Sequence, residues 1–319
     1  MPGQLVLTNS LGGSLTDFGK LSAELYQQAS GQNIFRQFVD MKEGPGLRGG
    51  EMITFKKMLR IDTRGTRLSE TGTIPKNLFK FVSGTATVSE WGNENEYTGK
   101  LEKLAEWDVN DKFQQGLLLD IKDTFDNAIC TVFKTAEFKA VCSASATTVI
   151  TTNGTATAVS TVSFSKVNAK DIVDFMRTKQ VPKYRNGDSY VGVLSINSMR
   201  ALYDDIESFD TYQKPHESFN HEVGKYYQTR WSEDDSYLSN TIGKSSVLGE
   251  GLVFGDEAIL EVLAMEAKVV GAIDPKELGR VQYVGWWAIV EWYKFWSQST
   301  DDLNSTGKGI ERIMHITSG

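Results

Sequence analysis

Histidine is nearly missing from this chain: only His216, His221 and His315 occur, too few for most catalytic and zinc-binding constellations. His216-Glu217-Ser-Phe-Asn-His221 resembles H-E-x-x-H with one residue too many, and at ~100° per helical residue five steps turn the second imidazole roughly 140° from the first. His315 lies in a terminal strand pattern with no nucleophile or acid at a telling distance, and it reads as an ordinary packed or surface histidine. No G-x-S-x-G elbow is present. Phosphate-binding glycine motifs fail on context. Gly44-Pro-Gly46-Leu-Arg-Gly49 has no strand before it and no helix after it, and Gly243-Lys244-Ser245 has Leu238 where a phosphate loop needs its first glycine. The reading is a non-enzymatic chain with no cofactor and no metal.

Other shortages narrow the class further. Cys130 and Cys142 are the whole thiol inventory, both in or near one helical pattern. If that helix is continuous they stand about 18 Å apart and do not bridge, which suits a reducing compartment. Basic residues are outnumbered, 34 Lys and Arg against 41 Asp and Glu for a net charge of −7, so nucleic acid near this chain is enclosed rather than gripped. No run approaches the ~20 apolar residues of a bilayer span, and MPGQLVLTNSLGG lacks the basic start and apolar core of a signal peptide. No membrane partner is expected.

Aromatic residues, by contrast, are concentrated. Val281 to Trp296, VQYVGWWAIVEWYKFW, holds four of the seven tryptophans together with Tyr283, Tyr293 and Phe295. Seven aromatic side chains carry on the order of 1,000–1,700 Å², well above the roughly 300–600 Å² of the largest apolar patch on an ordinary monomer. This surface must be covered by the fold or by another chain. Read as a strand, Val281, Tyr283, Trp287 and Ile289 share one face, and Val284, Trp286, Ala288, Val290 and Trp292 share the other. Both faces are apolar, which predicts one against a long helix and the other against further core or a neighbour. Trp287 is then core, and Trp296, at the polar end, is a contact between subunits.

Helix and strand material is mixed along the chain, the α+β pattern. Residues 1 to about 40 read as an arm with a helix in TDFGKLSAELYQQAS, whose Phe18, Leu21 and Leu25 form an apolar face. Residues 50 to about 100 read as a two-stranded excursion, marginal alone in water. From Asp108 as N-cap, Phe113, Leu117, Ile121, Phe125, Ile129 and Val132 line one face of a helix of roughly nine turns. Asn153-Gly154 between β-branched runs predicts a hairpin. AKDIVDFMRTKQ, SYVGVLS and INSMRALYDDI form an α/β subdomain, residues 207–250 a polar loop-rich region, and GLVFGDEAILEVLA, the aromatic strip and GIERIMHIT closing strands.

Charge is uneven as well. Glu51 to Lys80 carries a net of +4, with Arg60, Arg64 and Arg67 among its seven bases, whereas Glu102 to Asp126 carries −4, with Asp120 and Asp123 among its seven acids. Two solvated faces would explain this; so would a basic excursion lying over the acidic helix of another subunit.

The order of elements resembles that of tailed-bacteriophage major capsid proteins. RLSETGTIPKNLFKFVSGTATVSEWGNENEYTGKLEKL resembles the family's excursion loop, the segment ending TFDNAI its spine helix, and NGDSYVGVLSINSMRALYDD its axial strand and helix. HEVGKYYQTRW resembles the loop that follows, and LVFGDEAILEV and GRVQYVGWWAIV two peripheral strands. The likeness spans about residues 15–316. It implies the Hong Kong 97-like fold: an arm at 1–42, an excursion loop at 43–100, a peripheral domain with the spine helix at 101–168 and 252–319, and an axial domain at 169–251. It further implies a homo-oligomer of hexamers and pentamers, closing an icosahedral virion head around double-stranded DNA without sequence-specific binding and assembled in the bacterial host cytoplasm. Separate scaffold, portal and decoration proteins are the implied further partners. Some members join a loop lysine to a neighbour's asparagine; Lys56, Lys57, Lys76 and Lys80 are available here, but no spacing marks a pair and no cross-link is expected. An encapsulin-like compartment shell is the alternative within the fold, and a hydrolase the alternative outside it.

Overall fold

The computed structural model describes residues 34–43, 51–61, 65–70, 72–74, 76, 78–105, 108–143, 147–205, 222–273, 279–303 and 307–319. The chain enters the body through a 3-10 turn at Arg36–Phe38 and β1 (Asp40–Glu43). It forms a ribbon of β2 (Met52–Met58) and β3 (Phe81–Thr87) and continues through β4 (Ser89–Thr98), α1 (Gly99–Leu104) and α2 (Val109–Lys134). Next come β5 (Phe138–Cys142), β6 (Thr148–Thr151), α3 (Lys166–Thr178), β7 (Tyr190–Ser195), α4 (Ile196–Asp205), β8 (Glu222–Tyr226) and β9 (Thr229–Asp234). β10 (Gly251–Phe254), β11 (Ile259–Ile273), β12 (Val281–Lys294), a single turn α5 (Gln298–Asp301) and β13 (Ile313–Ile316) close the chain. They build a four-stranded sheet in the order β1-β11-β12-β4, a seven-stranded sheet β6-β5-β13-β10-β7-β9-β8, and the separate ribbon.

Asp108 caps α2 as its sequence implies, accepting from the Asp111 N–H at 3.1 Å. The helix runs 26 residues rather than nine turns, because Thr135 and Ala136 turn the chain into β5. Cys142 therefore sits in a strand; both cysteines are free and buried, and burial pushes the Cys142 thiol up to about 12. The buried stripe of α2 is Val109, Leu117, Ile121, Phe125, Ile129, Cys130 and Phe133. It forms one core with residues of both large sheets, Phe125 lying 5.1 Å from the Trp292 ring and Phe133 4.7 Å from Phe254.

The aromatic strip is β12. Val284, Trp286, Ala288, Val290 and Trp292 are all buried on one face, and this is the face that meets α2, with Phe125 edge-on to Trp286 at 5.7 Å. Three indoles of this sheet find acceptors: Trp286 on Asp120 (2.7 Å), Trp292 on Glu261 (3.0 Å) and Trp91 on the Val290 carbonyl (3.0 Å). Trp287 is the correction. It lies on the opposite face, 45% exposed, because the ribbon root covers that face only at its Tyr293 end.

In the seven-stranded sheet β7 and β10 are buried on both sides. One side faces α2, and the other packs on Ile172, Val173 and Met176 of α3 and Met199 and Leu202 of α4. Such strands read as continuous apolar runs, as YVGVLS does. Gly192 is required there: a Cβ would lie 2.4 Å from the Trp231 ring. Two sequence expectations fail here. The hairpin pairs β5 with β6, Cys142 opposite Thr148, so its turn precedes Asn153-Gly154; the second run spends its N–H groups elsewhere, Thr161 on the Cys142 carbonyl among them. The region 207–250, read as loop, supplies β8 and β9 to the sheet.

The last residues assigned to the arm are packed into the body: Ile34, Phe35 and Phe38 are buried, and β1 pairs parallel to β11. Asp126, counted above among surface acids, holds them. It is 1% exposed and accepts from the N–H groups of Ile34 (2.9 Å), Phe35 (3.2 Å) and Arg36 (2.9 Å). Burial raises its pKa and the three N–H groups oppose the rise without cancelling it.

Candidate functional site

Two polar clusters lie inside the body. In the first, Glu250, just before β10, accepts from Lys134 at the end of α2 (2.8 Å), from His315 Nε2 on β13 (2.7 Å) and from the Ser239 N–H (3.0 Å). Burial works against its charge, but these donors outweigh burial and hold the carboxyl at about 2. Burial lowers the His315 pKa against the pull of Glu250, and Lys139 Nζ lies 2.9 Å from His315 Nδ1. The two neighbours select a neutral imidazole that donates through Nε2 and accepts at Nδ1. In the second, Lys294 on β12 lies between Glu137 (3.1 Å) and Glu311 (3.0 Å). Burial pushes Glu311 up to about 7 despite that lysine. Polar and charged heads paired to one another across α2, β12 and β13 cross-brace these elements. Among the described residues no group of three His, Cys, Asp or Glu is placed to hold a metal, and no helix is long and apolar enough to cross a membrane.

The unspent free energy of the molecule lies on its surface. Along the ribbon and the segment joining its strands, Met52, Met58, Ile61, Leu68, Ile74, Leu78, Phe79 and Phe81 are all exposed, Ile74 at 70% and Leu78 at 90%. Eight large apolar side chains in one thirty-residue excursion exceed the scattered singles that a monomer tolerates. Among the described residues, fastening contacts are found at the root. Lys57 Nζ pairs with Asp301 at 2.8 Å, both buried, Phe55 packs edge-on to Phe295 at 6.3 Å, and the Thr87 N–H donates to Tyr293 Oη at 2.9 Å. A second open apolar area, an open groove of about 630 Å³, is lined by Trp287, Val270, Ala272 and Tyr283 at the far end of the four-stranded sheet.

The residues singled out in the sequence fall unevenly on this map. Phe18, Leu21, Leu25 and Arg64 lie outside the described residues, as do His216, His221 and Gly44 to Gly49. Arg60 and Arg67 are exposed on the excursion, and Arg60 donates to Gln180 of its own chain. Asp120 is half-buried and engaged within the chain, by Trp286 and by Asn93 at 2.9 Å. Asp123 is half-buried and receives the Tyr237 hydroxyl at 3.4 Å. Trp296 is half-buried at the ribbon root, with Lys57 Nζ 5.4 Å and Arg312 Cζ 4.9 Å from its ring. Sequence reasoning missed Asp126 and Glu250. Asp126 was visible in principle, four residues before Cys130 and seven before Phe133 on an otherwise apolar stripe. Glu250 had no such signal.

No family model matches the chain, and no curated protein matches it. Solved structures do. The chain superposes on the capsid of Helicobacter pylori bacteriophage KHP30 with a TM-score of 0.66 at 11% identity, covering 98% of this chain and 97% of that one. For the capsid of Ralstonia phage GP4 the TM-score is 0.65 at 13% identity, over 94% and 95%. For the cyanophage Pam1 capsid it is 0.63 at 13% identity, over 95% and 99%. The chain has the α+β fold of these phage capsid chains across nearly its whole length.

Proposed function

We propose that this chain is the major capsid protein of a tailed bacteriophage, a structural subunit that assembles as hexamers and pentamers into an icosahedral head around double-stranded DNA. The observation that carries the reading is the near-complete superposition on several phage capsid chains, joined to an apolar excursion that its own chain leaves uncovered. Burying about 25 cal/mol for each Å² of that apolar surface supplies the drive for association, and an acidic chain releases packaged DNA more readily than a basic one.

In this proposal residues 1–42 are the arm, 43–100 the excursion loop, 101–168 with 252–319 the peripheral domain, and 169–251 the axial domain. The seven-stranded sheet takes strands from both of the last two. Phe18, Leu21, Leu25, Arg60, Arg64, Arg67, Asp120, Asp123 and Trp296 are the proposed inter-subunit contacts. The particle is the virion head, assembled in the host cytoplasm with separate scaffold, portal and decoration proteins. Electron microscopy of particles purified from cells making this chain tests the reading. Large shells competent to hold DNA support it, and small shells filled with protein cargo replace it with a cellular compartment.

A further inference from the structure

We propose that His315 is a proton-operated clasp in the seven-stranded sheet: a second proton on its ring loosens the seam between β5 and β13 and leaves the seam between β13 and β10 closed. β13 stands between β5 and β10 in the strand order, so it joins β6 and β5 to β10, β7, β9 and β8. His315 lies within that joint, opposite Lys139 of β5 on one side and Leu252 of β10 on the other. Opposed residues of an antiparallel pair share a face, and Leu252 belongs to the core that α2 covers. The ring, 5% exposed, is therefore held beneath α2, where a change of charge finds little water to screen it.

The two ring nitrogens meet groups of opposite kind. Nε2 faces Glu250 at 2.7 Å, and Nδ1 faces Lys139 Nζ at 2.9 Å, a nitrogen that also donates to the Lys134 carbonyl at 2.8 Å. A neutral ring serves both neighbours, donating at Nε2 and accepting at Nδ1. An imidazolium carries a donor on each nitrogen, so it tightens the contact with Glu250 and sets an N–H against an ammonium that offers no acceptor. The charged groups acting on the ring are Glu250, Lys139 and Lys134, and those acting on Lys139 are Glu250, Lys294 and Glu311. Burial and the two lysines outweigh Glu250 and keep the His315 pKa below its ordinary value, while Glu250, held at about 2, keeps its charge through the range in which a histidine titrates. Protonation therefore strains the joint from the β5 side alone. The clasp works within one subunit, whatever assembly that subunit enters.

Amide hydrogen exchange of the full chain, corrected for the intrinsic effect of pH, tests the clasp. The Thr317 N–H donates across the β5–β13 seam to the Ala140 carbonyl at 2.9 Å and is the probe, with the amides of β10 as the reference. Each unit by which the closed-state pKa lies under the open-state one multiplies opening about tenfold once the ring is protonated in both. Thr317 protection is thus expected to fall about tenfold or more between about pH 7.5 and about pH 4.5 while β10 holds. His315→Gln keeps a donor and an acceptor but takes up no proton in this range, and it removes the fall. Lys139→Met removes the opposing ammonium, and the ring resonance of His315, one of three histidines in the chain, then titrates at higher pH. No fall at Thr317 in the wild type, an equal fall in His315→Gln, an equal fall across β10, or an unmoved His315 titration in Lys139→Met overturns the proposal.

Discussion

Trp286 and Trp287 are neighbours in sequence and opposites in structure, so truncating each in turn tests which face of β12 is core. Trp286 is 3% exposed, packs edge-on to Phe125 and donates to Asp120. Removing a buried tryptophan costs ~3–5 kcal/mol, and Trp286→Ala also deprives a half-buried carboxylate of a donor, so the upper end of that range is expected. Trp287 already leaves 45% of its surface in water, and Trp287→Ala should cost about half as much, ~2 kcal/mol. If a neighbour covers the exposed part on assembly, roughly 110 Å² of a ~250 Å² side chain, a further ~3 kcal/mol per subunit is at stake in the shell. Denaturant midpoints of unassembled subunits should therefore fall strongly for Trp286→Ala and modestly for Trp287→Ala, and shell yield should fall for both. Equal midpoints for the two variants, or a larger loss for Trp287→Ala, would refute the assignment of faces.

Three other outcomes are expected. Asp126→Ala strips the acceptor from three N–H groups, at about 1–3 kcal/mol for each one left buried and unpaired; hydrogen exchange should quicken at Ile34, Phe35 and Arg36 while β12 stays protected, and unchanged exchange would show that another group holds this turn. Buried groups in the two polar clusters pull the pH dependence of stability in opposite directions. His315 and Glu250 have lowered folded pKa values, so their contributions are present above about 6.5 and 4.5 and are lost on acidification, that of Glu250 as pH falls through about 2. Glu311 is raised to about 7, so its contribution is present below about 4.5 and lost as pH rises through 7. Glu311→Gln should flatten the decline between those limits in a plot of midpoint against pH, and an unaltered slope would sink the assignment. Finally, trypsin should cut after Arg67 faster in free subunits than in assembled particles, because an exposed excursion gains protection only from a neighbour; equal rates would mean that it stays uncovered in the shell.

The elements legible in the sequence are those whose local signals agree with their burial. Asp108 as cap and the periodic stripe from Leu117 to Ile129 locate α2, and the run YVGVLS marks a strand buried on both faces. β9 was hidden by composition: Thr229, Ser232 and Asp234 are buried polar residues, so TRWSED reads as loop although it lies inside the sheet. The hairpin was misplaced because Asn153-Gly154 is a strong local turn signal, and only the pairing of β5 with β6 shows that the turn is used elsewhere. In β12 both faces are apolar, so periodicity recovers the two sets of residues but not which one α2 covers. The cluster of Glu250 and His315 depends on β10 and β13 pairing with Gly251 opposite Ile316, a register that joins residues 65 positions apart and leaves no trace in either segment alone. The ribbon of β2 and β3 agrees with the excursion expected from the sequence, but Ser89–Thr98, read as part of that excursion, are β4 and pair with β12 in the four-stranded sheet, because a strand that alternates with apolar neighbours reads the same whether it pairs within a ribbon or with the body.

Sedimentation velocity of the purified chain, across salt and protein concentration, tests self-assembly most directly. The account predicts closed particles far larger than the subunit, in equilibrium with rings of six and five copies. A single 35.5 kDa species under every condition would contradict it.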